Sequence, residues 1–511
     1  MTLLQQGPAW KPVGKKSAKR VSGTYLLQHW HSQSNSQENV FLYYNMKKWI
    51  GLIGPMFVLI AGLNSCRKES FILSPDAKLN VSIDSLRFDT VFTSTGSITR
   101  TVKIYNENDQ KLRISYIRIG GGQASYFAMN ADGIEGQDIR ELEIKANDSL
   151  YIFVAVTINP NANNLPFLVR DSLMVGYNGN EKKIQLEAYG QNAHFIRNGL
   201  VVSNTTFIND LPYVILGGLT IDTNTTLTIN KGVRLYFHAD APLITDGTLE
   251  VKGTKTDSVI FTGDRLDEDY RDLPASWPGI YFRASSKNNV LEYAVIKNAY
   301  QGIVADQPSG NANPKINLRE CIIDNVYEGG ITGIQTSIRA INCLVSNCGN
   351  NLLLVNGGDY SFTHCTIASY SNIFVLHKKP VLYLNNWDSS QAGIKSYPLV
   401  ARFTNNIFWG DNGTVEDEVV VSKKGNTFFD VVFSNNLYKV LQDPAFSTLT
   451  NNLKNLDPLF DSVNIGIRYF NFRLQTKPSP AINKGIPAGI NIDLDGKPRD
   501  SQPDLGCFEK N

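Results

Sequence analysis

Apolar and polar residues alternate in short runs between Asp76 and Ala193. Examples are RTVKIYNEN, LRISYIRI, SLYIFVAVTINP, DSLMVGY and KKIQLEAYG. A period of two, bounded by Asn, Gly and Asp, predicts half-buried antiparallel strands. Several such strands at short and regular spacing are typical of a β-sandwich. The pattern therefore predicts a sandwich over residues 76–193, acting as a spacer or as a small binding module.

A different pattern follows, in which one short segment recurs. The copies are LEYAVIKN (291–298), LRECIIDN (318–325), AINCLVSN (340–347) and FTHCTIAS (362–369). In this alignment Ile296, Ile323, Val345 and Ile367 fall in one column, separated by 27, 22 and 22 residues. Ala294, Cys321, Cys343 and Cys365 fall in a second column. A period in this range with one strand signature per repeat indicates a solenoid.

The repeats favour a parallel β-helix over a leucine-rich repeat, because spaced leucines and helical segments are missing. Successive windings of a β-helix stack about 4.8 Å apart, so equivalent side chains form columns. Both columns should point into a shared core, since one winding cannot bury its own apolar face. We expect Asn298, Asn325 and Asn347 to form a ladder of side-chain amides at a turn. His364 should project outward.

Several segments resemble known families. The region 76–193 resembles the ASH-type immunoglobulin-like domains of bacterial surface proteins, and residues from about Gly217 onward resemble right-handed parallel β-helix proteins of Bacteroidetes-type bacteria. The end resembles the closing segment called choice-of-anchor Q. The segments that carry these resemblances are IYNENDQKLRISYIRI, IKANDSLYIFVAVTINP, WPGIYFRASSKNNVLEYAVIKNAYQGI, SPAINKG and DLDGKPRDSQPDLG.

The resemblance implies an all-β protein with an N-terminal immunoglobulin-like sandwich (76–193), a right-handed parallel β-helix (194–477) and a closing segment (478–511). The pectate lyase-like fold hosts lyases, hydrolases, esterases and adhesins, so it does not decide an activity.

The segment MKKWIGLIGPMFVLIAGLNSC, from Met46 to Cys66, has the basic head, apolar stretch and terminal cysteine of an export signal. It resembles the signal peptide and lipobox of bacterial lipoproteins, which implies a signal at 46–65, lipidation of Cys66 and a linker at 66–75. Residues 1–45 are then interpreted as an upstream extension called in error. The membrane would be a partner through this anchor, and the predicted location is the cell envelope, at the outer membrane.

The charge balance changes once residues 1–65 are set aside. They hold seven of the 49 Lys and Arg residues and one of the 47 acidic residues, leaving 42 basic against 46 acidic side chains, a net charge of −4. No basic patch stands out, whereas nucleic-acid binding requires one. We therefore predict no nucleic-acid partner.

Candidate chemistry lies in two insertions. The first, GDRLDEDYRDLPASWPG, contains Asp264, Asp267, Glu268, Asp269, Asp272 and Trp277. The five carboxylates are candidate ligands for Ca²⁺, although the spacing is not that of an EF-hand. Asp264 and Asp267 are also candidate catalytic acids for sugar chemistry. The alternative is a solvated loop of mixed charge.

The second insertion, LHKKPVLYLNNWDSSQAGIKSYP, brings together His377, Tyr383 and Trp387. Aromatic faces can stack on sugar rings, so Tyr383, Trp387 and Trp277 are candidate ligand-binding residues, and His377 is a candidate catalyst. If the two insertions meet over one cleft with facing carboxylates, an enzyme is favoured. If they lie on opposite faces, binding or a structural role is favoured.

The cysteines are interpreted as a buried thiol column, since free cysteine behaves as a small hydrophobe; Cys348 is the residue to check for pairing. Known pectinolytic signatures, phosphate loops and nucleophile elbows are missing. The leading prediction is recognition of a polysaccharide without established catalysis and without a cofactor other than Ca²⁺. The alternatives are a polysaccharide lyase or glycoside hydrolase, and a structural or adhesive surface protein.

Overall fold

The computed structural model describes residues 70–93, 96–160, 167–390, 393–475 and 479–510. Within this part of the chain there are 40 strands, one short 3-10 helix at Gly122–Ala124 and no α-helix. The predicted all-β class, with a sandwich followed by a right-handed parallel β-helix, is confirmed. The proposed extension, signal peptide and lipidated Cys66 lie outside the described residues. No helix among the described residues is long and apolar enough to cross a membrane.

The sandwich consists of two five-stranded sheets, in the orders β1-β3-β8-β5-β6 and β2-β10-β9-β4-β7. All pairs are antiparallel except β2 with β10. Alternate side chains point into one core between the sheets, as the period of two requires. Strands β1 to β10 are Leu79–Val81, Ser85–Phe92, Arg100–Asn106, Leu112–Ile119, Phe127–Ala131, Ile134–Gly136, Asp138–Ile144, Ser149–Val156, Phe167–Tyr177 and Asn180–Gln191.

The solenoid is a 26-stranded parallel sheet that begins at His194. Strands β11 to β29 are His194–Val201, Thr205–Phe207, Tyr213–Ile221, Thr226–Asn230, Arg234–Phe237, Leu243–Thr245, Thr248–Lys252, Val259–Gly263, Ile280–Phe282, Asn289–Glu292, Ala294–Lys297, Ile303–Asp306, Ile316–Arg319, Ile322–Asp324, Gly329–Ile341, Leu344–Ser346, Asn350–Thr363, Thr366–Tyr370 and Leu382–Asn385. Strands β32 to β38 are Leu399–Thr404, Ile407–Asp411, Val419–Ser422, Phe429–Ser434, Leu437–Tyr438, Thr448–Thr450 and Leu453–Lys454. Two antiparallel hairpins are outside this sheet: β30 with β31 (Trp387–Ser390, Gly393–Ser396) and β39 with β40 (Phe460–Asn464, Tyr469–Leu474).

Each winding of the solenoid supplies three walls, which we call A, B and C. In the third winding these are β15, β16 and β17, and each strand pairs with the equivalent strand of the next winding, β18, β19 and β20. Wall A continues through β21, β24, β26, β28, β33 and β36. Side chains on alternate positions therefore point into the core or away from it.

The predicted core columns lie on wall A. Ile296 pairs with Ile323, Ile323 with Val345, and Val345 with Ile367, and all four side chains are fully buried. Cys321, Cys343 and Cys365 are buried beside them as free thiols, and Cys348 is also free. The interpretation of a buried thiol column without disulfides is confirmed.

The corner between walls A and B carries part of the predicted amide ladder. Nδ2 of Asn325 donates to Oδ1 of Asn298 at 2.8 Å, and the amide of Asn347 donates to Asp324 at 3.3 Å. All three asparagines have positive φ, between 51° and 62°. Asparagine tolerates this left-handed conformation better than most residues, which explains its recurrence at the end of the strand.

The C-terminal residues cover wall A. The last strand of the parallel sheet ends at Lys454, and residues 460–474, predicted as part of the solenoid, instead form the antiparallel hairpin β39–β40. This hairpin and residues 479–510, together called the closing segment, pack on outward apolar side chains of wall A. They form a second core with Leu344, Ala368, Tyr370, Ile407, Trp409 and Leu437.

His364 corrects one expectation. Its side chain does leave the solenoid core, but the closing segment covers it, so the residue has no exposed surface. Nε2 of His364 accepts from Nδ2 of Asn405 at 2.9 Å, while Nδ1 has no hydrogen-bond partner among the residues that the structure describes. Burial lowers the pKa of His364 to about 3. A surface imidazole was expected because the sequence alone does not show which wall is covered.

Lys315 is a fully buried lysine at the corner between walls B and C. Its ammonium donates to the carbonyl oxygens of Arg283 (2.7 Å), Ala284 (3.1 Å) and Asp306 (2.8 Å). Burial lowers its pKa to about 8. One side chain therefore ties together backbone from different turns of the chain.

We expect Lys315→Met to lower the free energy of unfolding by about 2 kcal/mol, because three carbonyl groups lose their donor. Denaturant unfolding at pH 7 measures the change. Lys231→Met is the control, since that lysine is 64% exposed in a surface ion pair. Equal stability of the two variants would contradict a structural role for the Lys315 ammonium.

Candidate functional site

The outer surface of wall A is covered at both ends and open in the middle. Val214, under the sandwich, is 1% exposed, and Ala368, under the closing segment, is fully buried. Between them, Lys297 and Asp324 are partly exposed and pair across neighbouring windings. Two grooves result, one beside each cover.

The first, the interdomain groove, lies between the sandwich and the start of wall A and encloses about 490 Å³. The ring centroids of Phe92 and Tyr236 lie 5.0 Å apart, and the backbone N–H of Glu268 donates to Asp89 at 3.0 Å. These contacts join the two domains beside the groove. The groove itself is lined by Arg197, His238 and Asp264, among others.

His238 and Asp264 form a pair in this groove. Nδ1 of His238 lies 2.7 Å from Oδ2 of Asp264 and donates to the carboxylate. The imidazole is 51% exposed, whereas the carboxylate is only 16% exposed. Burial raises the pKa of Asp264, although the hydrogen bond from His238 opposes this shift. Asp264 is one of the predicted catalytic candidates, and the structure supplies it with a histidine 26 residues away in sequence.

The predicted calcium site is not supported, because the carboxylates of the first insertion diverge. Asp264 faces His238, while Asp267 forms a two-bond ion pair with Arg265 at 2.8 and 3.1 Å. Asp272 lies near Arg271 and Lys297. No group of three or more His, Cys, Asp or Glu side chains in the described part of the chain could hold a metal ion. Glu268 and Asp269 are exposed and add no such group.

Trp277, a predicted ligand-binding residue, is also placed differently from the prediction. Its ring is fully buried and stacks on Phe237 with centroids 4.4 Å apart, and Nε1 donates to the carbonyl of Lys297 at 3.0 Å. The indole closes the solenoid core where the first insertion rejoins the wall. It offers no face to a ligand.

His377, a predicted catalytic candidate, is buried. Its Nε2 lies 2.7 Å from Oε1 of Glu418, and the two side chains are 2% and 0% exposed. The other Glu418 oxygen accepts from the backbone of Val381 at 3.2 Å. The pair anchors the second insertion against β34. Both insertions leave wall A at the same corner, and their starting points are four windings apart, which is about 19 Å along the axis. Among the described residues, Asp264 pairs with His238, Asp267 with Arg265 and Asp272 with Arg271, so these carboxylates do not face His377.

The two other aromatic candidates, Tyr383 and Trp387, lie on wall B and in the hairpin that follows it. Tyr383 points outward from wall B between Leu353 and Val420. Trp387 belongs to the hairpin β30–β31, where Lys424 lies 3.5 Å from its ring centre and Nε1 donates to Ser422 at 3.0 Å. Both rings are partly exposed. Their role in ligand binding stays a prediction.

The second groove, called the wall groove, lies between the open part of wall A and the closing segment and encloses about 510 Å³. Its floor is apolar, with Val295, Ile322 and Leu344. Aromatic side chains and charged groups of both signs form its sides; they are Tyr293, Tyr469, Phe470, Phe472, Phe508, Lys255, Lys297, Arg468, Arg473, Glu320, Asp324 and Asp495.

The carboxylates of the wall groove differ in their partners. Asp495 forms a two-bond ion pair with Arg473 at 2.6 and 2.7 Å, and this bond lowers the pKa of Asp495. Glu320 accepts from Nδ2 of Asn342 at 3.2 Å, and Asp324 accepts from Ser346 at 2.6 Å. Partial burial raises the pKa of both Glu320 and Asp324. The groove thus offers carboxylates with different hydrogen-bond partners beside an apolar floor.

Sequence reasoning identified Asp264 but missed most other residues that line the two grooves. His238 carried no motif, because its partner lies one winding later and only the stacking of windings brings them together. Tyr469 and Phe470 were assigned to the solenoid rather than to a cover. A usable signal was present in the apolar outward positions Leu344, Ile407 and Leu437, which predict that something packs on wall A.

No family model matches this chain, and no curated protein matches it. Among solved structures, a family 123 glycoside hydrolase from Clostridium perfringens is similar over 26% of this chain and 31% of its own, with 9% identity and a TM-score of 0.19. The ASH/PapD-like domain 7 of human CEP192 is similar over 25% of this chain and 96% of its own, with 9% identity and a TM-score of 0.16. At 9% sequence identity, neither similarity supports a transfer of function to this chain.

Proposed function

We propose that this protein binds a polysaccharide at the cell envelope, and that the wall groove is its binding site. The supporting observation is the combination of an apolar floor, aromatic sides and charged groups of both signs in one open groove. Sugar rings present apolar C–H faces and polar edges, so such a groove can stack the faces and orient the hydroxyls.

The open stretch of wall A suits a linear polymer. From the level of His238 to that of Asp324 the wall rises by three windings, which is about 14 Å. Outward side chains repeat at the same spacing, so successive units of a polymer can make similar contacts. Neither cover closes this middle stretch, since Lys297 and Asp324 are partly exposed.

Lipid anchorage through Cys66 belongs to the same proposal. An acylated cysteine would tether the sandwich and solenoid to the membrane while leaving both domains in water. Residues 478–511 would be of the choice-of-anchor Q type. Mass spectrometry of the protein isolated from its own membranes tests the acylation, and an unmodified N-terminus upstream of Cys66 would contradict it.

Tyr469→Ala should weaken glycan binding about 10-fold, which corresponds to roughly 1.4 kcal/mol. The ring of Tyr469 is 53% exposed at the groove, so its loss removes a stacking face without opening a core. A glycan array on the protein from Ser70 onward identifies a ligand, and calorimetry on that ligand measures the affinity.

Tyr383→Ala is the matched control, because it removes an outward tyrosine from wall B. If Tyr383→Ala weakens binding and Tyr469→Ala does not, the binding surface lies on wall B. If the array shows no glycan bound at all, the proposed function is wrong.

A further inference from the structure

The interdomain groove carries a column of side chains that the proposed function does not use. Arg197 pairs with Leu216 of the next winding. His238 and Asp264 continue the same position, since their backbone N–H groups donate to Ile215 and Phe237, each at 2.9 Å. Arg197, His238 and Asp264 are therefore stacked along one edge of wall A, with Arg197 about 10 Å from His238 along the axis.

His238 is arranged to accept a proton. Because Nδ1 donates to Asp264, the proton of the neutral ring is on Nδ1 and Nε2 carries a lone pair. Nε2 has no hydrogen-bond partner among the described residues, and the ring is 51% exposed at the groove. An oriented imidazole with a free Nε2 is the arrangement of a general base.

Arg197 is arranged to bind an anion. Its side chain is exposed and forms no ion pair within the described chain, whereas Arg265 in the same groove is held by Asp267. A guanidinium matches a carboxylate with two parallel hydrogen bonds. The other charged groups facing this end of the groove are Asp89 and the pair Arg265–Asp267, and Asp89 already accepts from Arg100 and from the backbone of Glu268.

We propose that the interdomain groove is a proton-abstraction site that cleaves a polymer of carboxylated sugars by β-elimination; this rests on the proposed function for the class of ligand. Arg197 binds the sugar carboxylate. Nε2 of His238 takes the proton from the ring carbon that carries this carboxylate. The freed electron pair forms a carbon–carbon double bond, and the adjacent glycosidic C–O bond breaks. The leaving oxygen takes a proton from water, and the imidazolium returns its proton to solvent. Asp264 is a positioning residue that stabilises the imidazolium.

The test uses the protein from Ser70 onward with polygalacturonate and alginate as probes, and follows the ultraviolet absorbance of the new conjugated double bond. His238→Gln should lower the rate by about 100-fold or more. Arg197→Gln should raise KM about 10-fold. Asp264→Asn should lower the rate about 10-fold and also change its pH dependence, because an amide cannot stabilise the imidazolium; a purely structural role would leave the pH dependence unchanged.

His194→Gln is the matched control. His194 forms a similar surface pair with Asp210 at 2.9 Å but is not part of the column, so this variant should keep the wild-type rate. Unsaturated product that is lost in His238→Gln and kept in His194→Gln supports the proposal. Binding of either probe without any unsaturated product overturns it and leaves the proposed function intact. Cleavage that survives Tyr469→Ala with unchanged affinity supports the column and instead contradicts the wall groove.

Discussion

Replacing Arg499 with methionine should detach the closing segment from wall A and lower the free energy of unfolding by about 3–5 kcal/mol. Arg499 and Glu509 form an ion pair at 2.8 Å in which each side chain is only 1% exposed. The same guanidinium donates to Oδ1 of Asn342 at 2.9 Å and to the carbonyl of Gly506 at 3.0 Å. Removing it leaves the Glu509 carboxylate buried without its cation, which is far more costly than losing a surface pair.

This variant also links stability to the proposed binding site, since the closing segment forms one side of the wall groove. Thermal unfolding and glycan affinity are measured on the same sample. Arg473→Met is the control for stability alone, since Arg473 also lines the wall groove: its pair with Asp495 is 47% and 20% exposed, so we expect a loss of about 1 kcal/mol or less. If Arg499→Met is as stable as Arg473→Met, the buried pair does not hold the cover.

His364 should make the protein acid-sensitive between pH 6.5 and pH 3. Burial holds the pKa of this imidazole at about 3, whereas an unfolded chain binds a proton near pH 6.5. Below pH 6.5 the unfolded state is therefore protonated and the native state is not. Stability present at neutral pH is lost as the pH falls, by up to about 4 kcal/mol near pH 3.

His364→Asn tests this origin with little structural change. Asn342, Asn405 and Asn435 occupy the equivalent corner, with φ of 50°, 58° and 53°, and His364 has φ of 52°. The variant should keep its stability at pH 7 and lose less of it than the wild type at pH 4, as measured by denaturant unfolding at both values. His194→Asn, at an exposed histidine, should behave as the wild type. Parallel losses in wild type and His364→Asn would show that other groups cause the acid sensitivity.

The sequence was sufficient to predict which side chains fill the interior of the solenoid. Each winding buries the same positions against its neighbours, so Ile296, Ile323, Val345 and Ile367 had to recur, and their column was predicted correctly. The corner asparagines were also predictable, because a left-handed backbone selects them at every winding. The period of two likewise predicted the strands of the sandwich.

The candidate site was predictable only in part. Asp264 was identified from the acidic run, but its histidine partner was not, and Trp277 and His377 were assigned to a surface that neither occupies. An insertion can lie on the surface of a wall or pack into it. A polar residue such as His377 can occupy either position, because a buried partner such as Glu418 can satisfy its hydrogen bond.

The chain by itself thus determined the repeat, the core columns and the all-β class, because those features depend on contacts between equivalent positions of neighbouring windings. Only the tertiary structure decided which outward side chains are covered and which stay open. That choice depends on where the sandwich and the closing segment pack, and these are contacts between segments as distant in sequence as Asn342 and Arg499. Local sequence patterns do not predict contacts between such distant segments, so the two grooves of wall A can be identified only in the folded structure.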